Sequence, residues 1–308
     1  MKKILFVLVA TSMTMAAQAK ILRVSNVSGS SAPYTSIQTA IDAAKEGDTI
    51  MVDASSEVYY ENVAISKRVV LLGPGYWLQE NGILQEGNST AAVLSIYVNN
   101  GADGGAAGTV IKGLTITDSS GIGTGASQVV ISRCRVVRGS ISLGGSNCIV
   151  HQNFCRNITG NITPNHQISN NIIAGGENNA SIYIQGVTDS YIAYNTCIGV
   201  VPKGMDESNW GLKDCTIEKN IFKGIPAVHS SSHYENNYVP ETWGYDTSMT
   251  DKEVQDVSKG LAYGAFAGDD PYVLSGVPSG PVVQDLIVPV TVEKGSKMSV
   301  TIKVGVVK

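Results

Sequence analysis

Residues 148–173, CIVHQNFCRNITGNITPNHQISNNII, carry one short phrase twice: an apolar residue, two mostly polar residues, then Asn. Val150 leads to Asn153 and Ile168 to Asn171, and beyond the quoted stretch Ile192 leads to Asn195, Ile217 to Asn220 and Tyr234 to Asn237. Ile131 and Cys134 make an earlier copy with Cys in the Asn slot. From Cys134 onward the intervals are 19, 18, 24, 25 and 17 residues. A period of this size marks a stacked repeat, in which one turn cannot bury its own apolar face and must lie on its neighbours.

The phrase also defines the kind of turn. Val150, Ile168, Ile192 and Ile217 alternate with polar residues and no 3.6-residue stripe runs through them, so they read as short strands with one face buried. Asn tolerates left-handed backbone and bonds its own main chain, so each Asn is expected at a corner, with side-chain amides pairing along the stack. The apolar slot returns two residues later at Val136, Cys155, Ile173, Cys197, Phe222 and Val239. A third strand is visible at Ile141 and Leu143, and again at Ile182 and Ile184. Strand, corner, strand, bend and strand about every twenty residues closes a triangular coil, a single-stranded parallel β-helix.

The Asn corners, together with the opening YTSIQTAIDAAKEGDTIMVDASSEVYYENVAISKRVVLLGPG from Tyr34 on, resemble the pectin lyase-like superfamily of right-handed parallel β-helices. The likeness covers roughly residues 34–240. It implies a fold, whereas the activities of that superfamily range over lyases, hydrolases, esterases and proteins without a known reaction. The aspartates, arginine and glutamines of the esterases are not found, nor are the Asp cluster, Gly-His-Gly and Arg-Ile-Lys of the hydrolases.

Residues 1–19 combine Lys2 and Lys3 with an apolar run from Ile4 to Ala10 and Ala17-Gln18-Ala19 before Lys20. They read as a secretory signal, too short in its apolar run to span a bilayer. The expected location is therefore the periplasm, the outer surface or the medium, with no transmembrane segment. Removing the two lysines takes the net charge from −4 to −6, which argues against nucleic acid as a general partner. The expected organisation is signal 1–19, β-helix 20–240 with a helical cap at 35–46, and a C-terminal extension 241–308.

The cap begins with Thr35 and Gln38 as a capping box, presents Ile37, Ala40, Ile41 and Ala44 on one face, and stops at Gly47. An amphipathic helix there would cover the open end of the coil and its unpaired strand edge. Strands are expected at Thr49–Val52, Val63–Ile65 and Val69–Leu72, followed by a protruding irregular segment at 76–108 with a strand at Ala92–Val98. In the extension, Leu286–Val290 and Met298–Val306 alternate around Lys294-Gly295-Ser296 as a hairpin. The run DPYVLSGVPSGP at 270–281 is similar to tails of other secreted β-helix proteins, which implies either docking and sorting or a plain C-terminal cap.

Four of the five cysteines fall on inward slots: Cys148 and Cys215 opening a strand, Cys155 and Cys197 after the corner. Cys155 and Cys197 are two turns apart, beyond disulfide reach at about 4.8 Å per turn, so free buried thiols are expected. Cys148, His151 and Cys155 mimic metal spacing, but alternation turns His151 outward. No cofactor is expected.

A site is suggested by the two long intervals, which gain their residues after the same strand as Gly175–Ala180 and Gly199–Asn209. Both loops should leave one corner on adjacent turns. Arg156 lies at that corner one turn earlier and Arg138 near it one turn before that. Glu177, Asn178, Asn179, Asp206 and Glu207 would form an acidic and amide wall, and Tyr183 and Trp210 two aromatic plates. Arginines and aromatic faces suit an acidic polysaccharide. Polar loops, Arg stems and outward Tyr are equally ordinary solenoid surface, and His151, Arg133 and Arg135 read as solvated surface. The function classes are a polysaccharide-active protein, a lyase if it is an enzyme, and a non-catalytic cell-surface, structural or adhesion module.

Overall fold

The computed structural model describes residues 19–83, 89–101, 105–175, 184–199, 211–224, 228–287 and 300–307. Its body is a parallel β-helix built from two long all-parallel sheets. The first face is a ten-stranded ladder running from Ile21–Val24 and Thr49–Val52 to Thr216–Glu218 and His233–Glu235. Along it Ile111, Ile131, Val150, Ile168, Ile192 and Ile217 stack as direct neighbours, all at 0% exposure. This is the inward column of the repeated phrase.

The second and third faces belong to one sheet that divides. Ala92–Val98 pairs at Ala92 and Val93 with Thr115–Ile116, and at Ile96–Val98 with Ile122–Thr124. From there the two-residue strands Arg135–Val136, Phe154–Cys155, Ile172–Ile173, Thr196–Cys197 and Ile221–Phe222 make the second face. The third consists of Ile122–Thr124, Ile141–Leu143, Ile158–Pro164 and Ile184–Thr188.

The Asn ladder forms, but the left-handed residue is not the one expected. Asn153, Asn171, Asn195 and Asn220 each donate Nδ2 to the Oδ1 of the next Asn at 2.9 Å, and the main-chain N–H of each also reaches that Oδ1. Positive φ falls one residue earlier, at Arg133, Gln152, Asn170, Tyr194, Lys219 and Asn236. The Asn points inward, where its amide replaces the water that a corner carbonyl would otherwise bond. Cys134 ends the row as an approximation of Asn: its Sγ lies 3.3 Å from Ser132 O and 3.9 Å from Ile111 O, the acceptors equivalent to those of Asn153 Nδ2. Its N–H donates to Asn153 Oδ1 at 3.0 Å.

A second, mixed ladder lines the corner before the first face. The N–H of Cys148 donates to His166 Nδ1, that of His166 to Ser190 Oγ, and that of Cys215 to Ser232 Oγ. All five cysteines are buried and free, and burial pushes the Cys134 and Cys197 thiols up to about 12.

Helix α1 (Ile37–Ala43) is shorter than the expected 35–46, and its N-cap is Ser36 rather than Thr35. Glu61 completes the cap by accepting from the N–H groups of Ile37 and Gln38. Gln38, expected in the capping box, instead bonds both the N–H and the C=O of Ala64 on an outer strand edge. Ile37, Ala40 and Ile41 are buried against the first turns, so the helix covers apolar core and strand edge together.

The described residues after Val239 run back along the stack up to Val277, one turn at a time, over the outside of the second face. Gly264 N–H bonds Lys219 O, Asn170 Nδ2 reaches Ala265 O and Ala267 O, Gln152 Nε2 reaches Pro271 O, and Arg133 Nη1 reaches Val277 O. Helix α2 (Asp251–Val257) lies within this strap. Phe154, Ile172, Ile198 and Ile221 pack under it with Tyr245, Val254, Ala265 and Tyr272. A Cβ on Gly264, at φ 79°, would lie 2.5 Å from Ile221 Cδ1 and from Thr196 Oγ1, so only glycine lets the strap approach so closely. Residues 76–83 do not protrude as expected: Tyr76 and Leu78 are 1% exposed, Tyr76 at the strap's end. Gly280–Ile287 then pairs antiparallel with Thr301–Val307, where Leu286–Val290 and Met298–Val306 were expected, so the first strand begins earlier and the second begins and ends later than expected. The turn Lys294-Gly295-Ser296 and the signal-like residues 1–18 lie outside the described residues.

Candidate functional site

Of the seven residues expected to bind a glycan, Glu177, Tyr183, Asp206, Glu207 and Trp210 lie outside the described residues, as do Asn178 and Asn179. The loop necks are described. A Cβ on Gly175 would lie 3.2 Å from Gly199 Cα, so the chain enters both long loops from one corner on adjacent turns. Arg156 is half-buried at that corner and donates Nε to Gly175 O at 3.3 Å. Its guanidinium therefore sits at the neck of the first loop.

Arg138 is exposed one turn earlier and out of strict column with Arg156, because the register changes across this bend, from Arg135 opposite Phe154 on one face to Ile141 opposite Ile158 on the next. Asp118 faces it from the preceding turn. Hydrogen bonds from the Ser120 N–H and hydroxyl hold Asp118 below the usual carboxylate range, and the charge of Arg138 adds to that. The basic floor thus has an acid at its upper rim.

Arg133 and Arg135 are not the solvated surface expected. Arg133 is 4% exposed, donating Nε to Gln152 Oε1 at 2.7 Å and Nη1 to the strap. The Arg135 guanidinium lies 4.3 Å from the ring centroid of Trp77, which in turn meets Phe154 edge-on at 4.9 Å. Beside them a buried clasp joins strap to coil. Asp251 accepts from Ser275 N–H at 2.7 Å and from Asn81 Nδ2 at 3.0 Å, and the Tyr76 and Tyr272 hydroxyls bond each other. Burial raises Asp251 above the ordinary carboxylate value, and its hydrogen bonds only partly offset that.

His151 does turn outward, as expected, but toward the strap. Its Nδ1 lies 3.5 Å from Asp270 Oδ2, and burial lowers its basicity below that of a free imidazole while Asp270 opposes the shift. Among the described residues no three His, Cys, Asp or Glu side chains come close enough to hold a metal ion. Among them, too, no helix is long and apolar enough to cross a membrane.

A signal for the strap was present in the sequence. After Asn153, Asn171 and Asn220 the phrases Phe154-Cys155, Ile172-Ile173 and Ile221-Phe222 hold two consecutive apolar residues, where Asn195 is followed by Thr196-Cys197, and on a strand consecutive residues point to opposite sides. Such a wall needs a cover on its outer side. No protein-family model matches this chain, and neither curated proteins nor solved structures provide a match.

Proposed function

We propose that the chain is a secreted β-helix of pectin lyase-like type that binds an acidic polysaccharide at the loop corner, with Arg138 and Arg156 facing its carboxylate or sulfate groups. The observation that carries this reading is the pair of adjoining loop necks, Gly175 against Gly199, with the Arg156 guanidinium on the neck carbonyl. Two loop necks on adjacent turns open at one corner, and the turns repeat at about 4.8 Å, near the length of one sugar. Loops on a rigid scaffold are where binding side chains concentrate. Tyr183 and Trp210 supply the aromatic platforms in this reading, and Glu177, Asp206 and Glu207 accept sugar hydroxyls.

If the corner also performs chemistry, the reaction is elimination across a uronate: a base takes the proton next to the carboxylate, a cation neutralises that carboxylate, and a carbon–carbon double bond forms as the glycosidic C–O bond breaks and its oxygen leaves with a proton. The second reading, a non-catalytic surface or structural module, draws support from the antiparallel pair Gly280–Ile287 and Thr301–Val307, which follows a strap that has already covered the coil. Incubation with a panel of acidic polysaccharides separates the cases. Rising ultraviolet absorbance of unsaturated product marks a lyase, retention in affinity electrophoresis without absorbance marks a binding module, and the absence of both sinks the glycan reading.

A further inference from the structure

The last turn of the second face carries a different arrangement, in which two lysines meet three aromatic rings. Ile221–Phe222 is flanked by Lys219 at one corner and Lys223 at the other. Four residues apart on an extended strand, their Cα atoms are at most about 13 Å apart. Between them stand three aromatic rings contributed by the segment that follows. Tyr238 takes the outer slot on the next turn, bridged to Ile221, with its N–H on Asn220 O at 2.8 Å. Tyr263 comes back along the strap and stacks on Tyr238 with centroids 5.5 Å apart and planes at 26°. Trp243 packs on Tyr245 at 4.9 Å, nearer the other corner.

The lysines are placed over these rings. Lys219 Nζ is 5.3 Å from the Tyr263 centroid and Lys223 Nζ is 6.0 Å from that of Trp243. Tyr238, Trp243 and Tyr263 are each half-buried against the outer apolar cluster, so their bodies are fixed by packing, and among the described residues the buried Trp243 Nε1 has no hydrogen-bond partner; Lys223 is exposed. Rigid rings add little ordering cost on binding, and ammonium groups at both ends supply the charge.

We propose that this shelf is a binding site for an acidic oligosaccharide, with sugar rings lying on Trp243 and on the Tyr238–Tyr263 pair and uronate or sulfate groups on Lys219 and Lys223. The proposal takes the ligand class from the reading of the loop corner, but none of its residues belongs to that corner. The chain's net charge is −4, so attraction has to be local. One carboxylate works against it: Asp246 lies near enough to Lys223 to be affected by its charge, although its hydrogen bonds come from Ser248.

Affinity electrophoresis and calorimetry of the full chain with polygalacturonate, alginate and chondroitin sulfate test the shelf. Lys219→Gln with Lys223→Gln should weaken the best ligand about tenfold, Trp243→Ala at least as much, and Trp243→Phe much less. Lys219→Gln is conformationally safe, since Gln152 holds the same left-handed position three turns away. Asp246→Asn should tighten binding, an effect that a purely structural lysine–aromatic contact would not produce. If the double lysine variant binds like the unaltered chain while Arg138→Ala with Arg156→Ala loses binding, the shelf is wrong and the loop corner stands. The reverse pattern supports the shelf and moves the site away from the corner. If none of the three polymers binds the unaltered chain, both the shelf and the acidic-glycan reading fall.

Discussion

At the scale of single residues, the repeated Asn does two things at once. It presents an amide to the next Asn, and it satisfies carbonyls on its own turn and the one before, as Asn171 Nδ2 does with Ser169 O and Val150 O. Removing such a group leaves several buried partners unpaired, each worth about 1–3 kcal/mol. Asn171→Ala and Asn195→Ala should each destabilise the protein by at least about 1–3 kcal/mol in denaturant unfolding, against no measurable change for the exposed Asn100→Ala. Equal effects at all three positions would remove the ladder from the account. The row also forecasts where a new Asn is tolerated. Cys134→Asn should fold with a melting temperature close to the parent, because Cys134 already stands at the acceptors Ser132 O and Ile111 O. Val136→Asn, two residues on in the apolar core, should cost several kcal/mol by burying an amide with no such partners. The register of the Asn row was legible in the sequence from spacing alone. Which residue takes positive φ was not, because Asn is favoured both as a left-handed residue and as an inward ladder amide, and spacing does not separate the two roles.

At the scale of elements, the strap is what turns the second face into an interior wall. Phe154, Ile172, Ile198 and Ile221 would be solvent-exposed apolar surface without residues 240–279. Truncation after Val239 should therefore give a chain that binds a hydrophobic dye and associates, even though every Asn of the ladder remains; a monomeric, dye-silent truncation would show that the strap is dispensable. The five thiols belong to the same scale, since each is held inside a strand or corner. Alkylation under native conditions should modify none of them and alkylation after unfolding all five. The pairing of polar with apolar residues along the first face was legible because one side of that face meets solvent. The second face hides its outer partner in a Gly-, Pro- and Asp-rich segment with no periodicity of its own, so the consecutive apolar pairs were the only trace of it.

At the scale of the whole molecule, two imidazoles set the response to acid. Burial lowers the affinity of both His151 and His166 for protons, with Asp270 opposing the shift at His151 and a hydrogen bond involving Thr163 opposing it at His166. Below the ordinary histidine value of 6.5 the unfolded chain then binds more protons than the folded one, so their contribution is present above about pH 6.5 and lost as pH falls below it. The melting temperature should drop as pH is lowered through that range, and the drop should shrink in His166→Gln; a pH-independent melting temperature would contradict the burial of both rings. Asp251 acts with the opposite sign, its raised value making the clasp cost stability as pH rises out of the carboxylate range.

The central claim, that the positive charge of Arg138 and Arg156 at the loop corner of an acidic solenoid holds an anionic glycan, meets its most direct test in a salt titration of binding. Exposed charges more than about 8–10 Å apart are screened at physiological salt, so the general acidity of the chain should count for little and nearby cations for most. With the best acidic polysaccharide of the panel, the account predicts affinity that falls steadily with added salt, and a shallower fall in Arg138→Ala with Arg156→Ala. Affinity that ignores salt in the unaltered chain, or a slope unchanged by removing both arginines, would contradict it.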